Sequence, residues 1–331
     1  MGTKVTHKTP LNFIPEALLF DIFGTVFDWR STVVTHLERV ISSKLAFAHA
    51  NIDATIKSNL ATPEAIKHFC STFAVEWEDY YIDYLFTKDG KPKFADPASA
   101  NEQRVDQLTD TATTPQSSGA YTTLDTIYSC GLATILSRHG LSQLFTTSEV
   151  LSISRIWHNL QPWPDSKAGI EALRELSIVC PLSNGNVRLL VDLQKNSGVA
   201  FDMLLSAQLW NGYKPEKRIY VGACEILGIG GKQQWDEYVE ECRGKGEEVV
   251  EEKQWRKQER GKVAMVASHL FDLRAAKSFG MTTIFIHRPE EIETDIDEYI
   301  MNGEDWVDMW VTTDEGGILE VARRLRALKA L

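Results

Sequence analysis

The stretch that decides the fold reads Ala17-Leu18-Leu19-Phe20-Asp21-Ile22-Phe23-Gly24-Thr25. Its first part is a short apolar run, the pattern of a strand buried on both faces of a parallel sheet. An acid then leaves the strand tip into a glycine turn. Such a turn exposes the carboxylate in a crevice and lets backbone approach a bound anion. With residues 17–23 as the first strand, five more runs of this kind follow, at 176–182, 203–207, 263–267, 282–286 and 309–312. Helical patterns lie between them. Residues 186–196 set Leu189, Leu190 and Leu193 on one face. Ile219, Ala223, Ile226 and Leu227 form a stripe that Gly228 closes, and 273–279 stops at Gly280. Alternating strands and helices predict an α/β fold: a doubly wound, Rossmann-like parallel sheet.

Residues 31–164 differ. They are aromatic and mostly helical in pattern, with Phe73, Trp77, Tyr80, Tyr81 and Tyr84 grouped along one segment and no buried strand. The simplest arrangement is a helical domain inserted after the first strand, with 15–30 and 165–331 forming the α/β core. The aromatic group is read as helix packing. Two stretches look like excursions. Residues 87–123 are rich in Thr, Ser, Asp, Pro and Ala and read as a mobile loop. Residues 231–262 carry nine acids and eight bases and read as a solvated, partly helical projection.

Composition sets the outer limits. The chain has 331 residues, 43% hydrophobic, 24% charged and 10% aromatic, which excludes a disordered, collagen-like or coiled-coil protein. A net charge of −11 argues against nucleic acid as a partner, because phosphate contacts need clustered Lys and Arg. Residues 290–315 hold eleven acids and no Lys or Arg, so the acidity belongs to one late strip and the rest of the chain is neutral. The five cysteines, Cys70, Cys130, Cys180, Cys224 and Cys242, have no paired spacing, which fits a reducing compartment and neither a disulfide framework nor a zinc site. No run approaches the ~18 apolar residues of a membrane span. The first residues lack the apolar stretch of a secretory signal, so a cytoplasmic protein is expected. Gly2 and Thr6 match the loose pattern for N-myristoylation. A homodimer is compatible with the composition, although no exposed apolar stripe is legible.

Three further groups sit at or beyond predicted strand ends. Ser183 and Asn184 precede a helix, where a hydroxyl and backbone N–H groups can face an anion, or serve only as an N-cap. Lys214 heads a helix in Tyr213-Lys214-Pro215, with Tyr220 six residues on. Pointing into the crevice, Lys214 lowers the pKa of Asp21 and keeps it ionised; pointing out, it is merely solvated. Val266-Ala267-Ser268-His269-Leu270-Phe271-Asp272 runs from a strand into a helix whose first turn holds Asp272, an acid that the helix dipole alone also favours.

In this order, the four groups resemble the haloacid dehalogenase superfamily, and within it the type II (S)-2-haloacid dehalogenases. The resemblance covers the first strand and residues 173–287, and gives 31–164 the place of that family's helical cap. It implies Asp21 as nucleophile with Thr25 as its hydroxyl neighbour, Lys214 as the lysine that holds Asp21 ionised, and Asp272 as the last acid. It further implies Ser183, Asn184, Tyr220, Phe23, Ser268 and His269 around a small carboxylate substrate, with no cofactor and no metal. Metal-dependent phosphatases of the superfamily carry a second Asp two residues after the nucleophile, which protonates the leaving group. That position is Phe23 here. An acid that serves their magnesium, four residues before the last Asp, is replaced by Ser268. A halide leaves without needing a proton, so the resemblance implies dehalogenation through an aspartyl ester. The alternatives are a related hydrolase or phosphatase on another phosphate or carboxylate, and a catalytically silent binding protein.

Two residues depart from the family pattern. A cap arginine that commonly follows a tryptophan receives the halide in that family; the nearest match here, Trp77, is followed by Glu78. Arg30 and Arg104 are the candidate substitutes. At His269, some members have asparagine.

Overall fold

A computed structural model describes residues 11–47, 53–86, 121–291 and 306–329. Six parallel strands build the sheet: β1 (Ala17–Phe20), β2 (Ile178–Ser183), β3 (Leu205–Ser206), β4 (Val263–Ala267), β5 (Thr282–Ile286) and β6 (Met309–Val311). Their order is β3-β2-β1-β4-β5-β6. β1 lies between β2 and β4, with Ala17 level with Ile178 and Val263, and Phe20 level with Pro181 and Val266. All four residues of β1 are fully buried, as a strand covered on both faces requires. The chain builds outward from β1 in one direction, then returns to build in the other. The tips of β1, β2 and β4 therefore flank the point where the strand order reverses, the usual ligand crevice of an open α/β sheet.

All six expected strands are present, two of them (263–267 and 282–286) with the expected bounds and the other four shifted by one to three residues. β1 ends at Phe20 because the chain then folds on itself: Val26 and Phe27 donate N–H bonds to the Ile22 carbonyl at 3.0 and 3.1 Å. Gly24 makes that turn at φ +74°, a left-handed conformation that costs glycine little.

The chain divides into two compact units, residues 28–161 and the remainder. The first is helical: α1 (Trp29–Phe47), α2 (Ala54–Asn59), α3 (Pro63–Phe86), α4 (Leu124–Arg138) and α5 (Thr147–Ser154). This is the expected helical insertion, and its aromatics are its core. Trp77 is fully buried and donates its indole N–H to the Tyr128 carbonyl at 2.8 Å. Tyr128 stacks on Trp157 with ring centres 3.9 Å apart. Such burial is the packing role expected of Phe73, Trp77, Tyr80 and Tyr81, each worth roughly 1.5–3 kcal/mol for a side chain of this kind.

The second unit holds the sheet and α6 (Ser166–Arg174), α7 (Val187–Ser197), α8 (Lys217–Ile226), α9 (Lys232–Lys245), α10 (Glu252–Arg260), α11 (Leu270–Ser278) and α12 (Gly317–Leu328). Ala17 and Leu19 share one face of the sheet with Ile219, Ala223, Leu273 and Ala276 of α8 and α11. Of the stripe read from the spacing, Ile219 and Ala223 are buried and Leu227 packs half-buried against the same cluster, whereas Ile226, the last helical residue, is 45% exposed. α6 and α12 pack closely at Gly169, where a Cβ would lie 2.6 Å from Ile318 Cγ2.

The two excursions fare differently. Residues 87–120 lie outside the described residues, as do Gly2, Thr6 and Arg104. The charged segment 231–262 is α9 and α10, and it is less solvated than its composition predicts. Trp235, Tyr238 and Trp255 pack with ring centres 5.4–5.6 Å apart, and Cys242 and Trp255 are buried. Arg260 ties the pair to the body by donating to the Phe279 carbonyl at 2.6 Å. No helix among the described residues is long and apolar enough to cross a membrane.

Candidate active site

The site grows from the end of β1. Asp21 still donates its backbone N–H to Val266 of β4 at 3.0 Å, so its position is fixed by the sheet ladder. Its side chain enters the crevice and meets three donors. Lys214 Nζ lies 2.8 Å from Oδ1. Thr25 Oγ1 donates to Oδ2 at 3.0 Å, and His269 Nδ1 lies 2.9 Å from the same oxygen. Thr25 is held in turn by the Ser268 N–H, which donates to Thr25 Oγ1 at 2.9 Å. Four residues from two strand ends thus form one closed set.

Lys214 arrives from the far side of the sheet. The chain leaves β3, makes a left-handed turn at Asn211 (φ 52°) and enters α8. The Lys214 backbone N–H donates to Asn184 Oδ1 at 2.6 Å, which pins the lysine to the end of β2. Its ammonium then bridges two carboxylates, Asp21 and Asp272, while being only 4% exposed. Tyr220, six residues on and in the first turn of α8, donates its hydroxyl to Asp272 Oδ1 at 2.5 Å. Asp272 sits in the first turn of α11, where the dipole favours an acid.

The electrostatics follow from this geometry. Burial disfavours the Asp21 charge, but Lys214 and His269 outweigh it and hold the carboxyl far below the usual carboxylate range. Burial likewise opposes the Lys214 charge, and Asp21 and Asp272 raise its pKa above the usual lysine value. Burial pushes Asp272 up; Lys214 pulls against it, and the charge of Asp21 adds to the rise. At His269 burial favours the neutral ring, yet hydrogen bonds to Asp21 and Glu291 push it up to about 10. The Asp21 oxygens are therefore anionic, and both bases beside them are cationic at neutral pH.

Every residue that the resemblance implied as a site residue lies in the unit that holds the sheet, and most touch one another. Ser183 is buried and accepts from the Gly185 N–H at 3.0 Å, in a turn that Ser206 closes by donating to the Gly185 carbonyl at 2.6 Å. Asn184 serves the Lys214 backbone, a task its sequence position did not reveal. Phe23 is buried inside the Gly24 turn and offers no acid. Ser268 Oγ is buried with no protein hydrogen-bond partner among the described residues. Glu78 lies in the helical unit, where it accepts from Tyr128 OH at 3.0 Å, and the Arg30 guanidinium lies 5.3 Å from the Trp29 ring centre.

A divalent cation does not fit this residue set. Both Asp21 oxygens already face cationic donors, and Lys214 occupies the space between Asp21 and Asp272 that a metal needs. Ser268 can offer only a neutral hydroxyl, a poor ligand for a hard dication. Among the described residues, no group of three His, Cys, Asp or Glu side chains is arranged to hold a metal ion.

Two features escaped the sequence. Glu291, the second residue of the acidic strip, does not lie on an open surface. Its Oε2 is 3.1 Å from His269 Nε2, and the side chain is 6% exposed. A Cβ on Gly24 would fall 2.3 Å from that oxygen, so the turn glycine also makes room for it. Arg288 is buried just past β5 and braces the turn that follows β1. Its Nε donates to the Thr25 carbonyl at 3.0 Å and its two Nη atoms grip Asp165 at 2.7 and 2.9 Å. Trp163 donates to the Gly24 carbonyl at 2.8 Å. The available signal was positional: both Arg288 and Glu291 follow a strand tip on the crevice edge, as Asp21, Ser183 and Ser268 do.

Comparison with known proteins matches this core. The family model described as haloacid dehalogenase-like hydrolase aligns with residues 15–280, most of the chain. The chain belongs to the haloacid dehalogenase-like hydrolases. Within this family it is 24% identical over 283 residues to (S)-2-haloacid dehalogenase 4A of Burkholderia cepacia, covering 84% of this chain and 86% of the relative. Solved structures of the same fold include L-2-haloacid dehalogenase PA0810, with a TM-score of 0.60 and 23% identity over 94% of this chain and 99% of that one. Another is the L-2-haloacid dehalogenase of Xanthobacter autotrophicus with chloropropionic acid covalently bound, at a TM-score of 0.56 and 17% identity, covering 95% and 99% of the two chains. The haloacid dehalogenase-like fold thus accounts for the sheet order, the inserted helical unit and the crevice.

Proposed function

We propose that the protein hydrolyses a small (S)-2-haloacid to the (R)-2-hydroxy acid, without a metal, through an ester at Asp21. The observation that carries this reading is the Asp21–Lys214 pair at 2.8 Å together with Phe23 at the position where phosphate chemistry needs an acid. An ionised, buried carboxylate held by a lysine is a competent nucleophile. Its oxygen attacks C2, the C2–halogen bond breaks, and the halide leaves with the electron pair, needing no proton. C2 inverts. Water then adds at the Asp21 carbonyl carbon, which leaves the configuration at C2 untouched and returns Asp21 as a carboxylate.

The other residues take supporting parts. Ser183 and Asn184 receive the substrate carboxylate, Lys214 keeps Asp21 ionised, and Asp272, steadied by Tyr220, holds Lys214 and places the water. The relatives named above, each called a haloacid dehalogenase, support the same assignment.

The test is a paired assay. Halide release from (S)-2-chloropropionate is expected to proceed undiminished in excess chelator, with no release of phosphate from a generic phosphomonoester in magnesium. Magnesium-dependent phosphate release that stops in chelator, without halide release, contradicts the reading.

A further inference from the structure

Three consecutive carbonyls in the turn after β1 each meet a donor from a distant part of the chain. The Gly24 carbonyl accepts from Trp163 Nε1 at 2.8 Å and the Thr25 carbonyl from Arg288 Nε at 3.0 Å. The Val26 carbonyl accepts from Ser166 Oγ at 2.7 Å and from the Trp163 backbone N–H at 3.1 Å. All three are paired within the protein, so each peptide plane from 24 to 26 is held in one orientation. The Thr25 side chain leaves from the middle of this run, and its place follows from those contacts. From there its hydroxyl donates to Asp21 Oδ2 at 3.0 Å and accepts from the Ser268 N–H at 2.9 Å.

Arg288 is the centre of this brace. It is 5% exposed, its guanidinium lies 5.2 Å from the Trp163 ring centre, and both Nη atoms grip Asp165. Asp165 is itself fixed at the head of α12, where Oδ2 accepts from the Ile318 N–H at 2.7 Å. The guanidinium thus aims one N–H at the turn and two at an anchored acid, in directions that its planar fork makes rigid. A lysine would supply the charge without the fork. A buried ion pair adds little stability over well-packed apolar side chains, so what distinguishes this one is the geometry it fixes.

We propose that Arg288, anchored by Asp165, is a positioning residue for the reaction: it holds the Thr25 peptide so that the Thr25 hydroxyl fixes the rotation of the Asp21 carboxylate. The inference rests on the aspartyl-ester reading above. Among the described residues Arg288 bonds Thr25 and Asp165 and not Asp21, so it acts through the threonine. Formation of the ester needs a carboxylate oxygen in line with the C2–halogen bond, and a misplacement of about 1 Å costs about 10²-fold in rate. Lys214 and His269 also meet the carboxylate, at 2.8 and 2.9 Å, but neither belongs to the turn. The Thr25 bond is the one that the brace controls.

The test is a double-mutant cycle read in turnover. Halide release from (S)-2-chloropropionate is measured for wild type, Arg288→Lys, Thr25→Ala and the double variant. Arg288→Lys is expected to lower kcat about 10²-fold. KM stays near its wild-type value, because Ser183 and Asn184, which receive the substrate carboxylate, have no part in the brace. In Thr25→Ala protein the hydroxyl is already gone, so the same change at residue 288 costs no more than about twofold, the scatter of independent changes. Asp165→Asn loosens the guanidinium while keeping its charge. It lowers kcat in the same direction, by a smaller factor, and is likewise non-additive with Thr25→Ala. A brace that only supports the fold lowers kcat by equal factors with and without the Thr25 hydroxyl, and that result overturns the inference. So does a wild-type kcat in Arg288→Lys. If Arg288→Lys loses the cooperative thermal transition and does not fold, the Asp165→Asn cycle decides on the same two criteria. Absence of halide release from wild type sinks the aspartyl-ester reading and this inference with it, an outcome visible before any variant is compared.

Discussion

Asp21→Asn lowers halide release by about 10⁴-fold or more, the scale seen when a nucleophile is removed from a preorganised site, and leaves the protein folded. An amide cannot displace halide to form the ester, so no adduct forms at this position. The fold tolerates the change because each neighbour keeps a partner. Lys214 retains Asp272, His269 retains Glu291, and an amide oxygen still accepts from Thr25. Thermal unfolding and far-UV dichroism close to wild type, with turnover at the background level, are the expected pair of results. Residual activity above about one per cent, well outside the range for a lost nucleophile, points to a different attacking group.

Lys214→Met has the largest expected effect on stability. It removes the buried cation between Asp21 and Asp272 and leaves two carboxylates facing each other out of water. Breaking a buried pair in this way costs about 3–5 kcal/mol, and turnover falls with it because Asp21 loses the charge that kept it ionised. The pH dependence has a definite sign. Asp21 binds its proton more weakly folded than unfolded, so its stabilising contribution is present above its ordinary pKa of 3.8 and lost as pH falls below it. Without Lys214 a carboxyl of the pair takes up a proton at higher pH, which relieves the repulsion. The gap between variant and wild type in urea unfolding is therefore expected to be widest near pH 7 and to narrow toward pH 4, at constant m value. A gap independent of pH contradicts the assignment of Lys214 as the counter-ion of Asp21.

His269 acts in the opposite direction. Its pKa is higher folded than unfolded, so the stability it lends is complete below pH 6.5 and is lost as pH rises through about 10. Asp21 and His269 together thus bracket a window in which the site carries the charges described here.

Much of the sheet is readable because its strands are short, continuous apolar runs ended by turn residues, and six such runs became six strands. Where a strand ends is less legible. The apolar run 17–23 continues past Phe20, but hydrogen bonds of Val26 and Phe27 back to Ile22 turn the chain away, and such bonds have no signature in composition. The charged segment 231–262 misleads for the converse reason: Trp235, Tyr238 and Trp255 supply a packed seam that seventeen charges conceal in a simple count. At the site, Asp21, Lys214 and Asp272 are legible from residue type and order, although the 193 residues between Asp21 and Lys214 hide their contact. Glu291 was hidden by its neighbours, since an acid at the head of an acidic run looks like solvated surface. Arg288 and Asp165 pair across 123 residues, and neither belongs to a recognisable local pattern.

The central claim is that the oxygen delivered to the product comes from Asp21. A single turnover with enzyme in excess over (S)-2-chloropropionate in ¹⁸O-water tests it most directly. The account predicts a lactate hydroxyl that carries ordinary oxygen and an Asp21 peptide that gains one ¹⁸O. Label in the product hydroxyl on the first turnover, with none at Asp21, would show that water attacks the substrate directly and would contradict it.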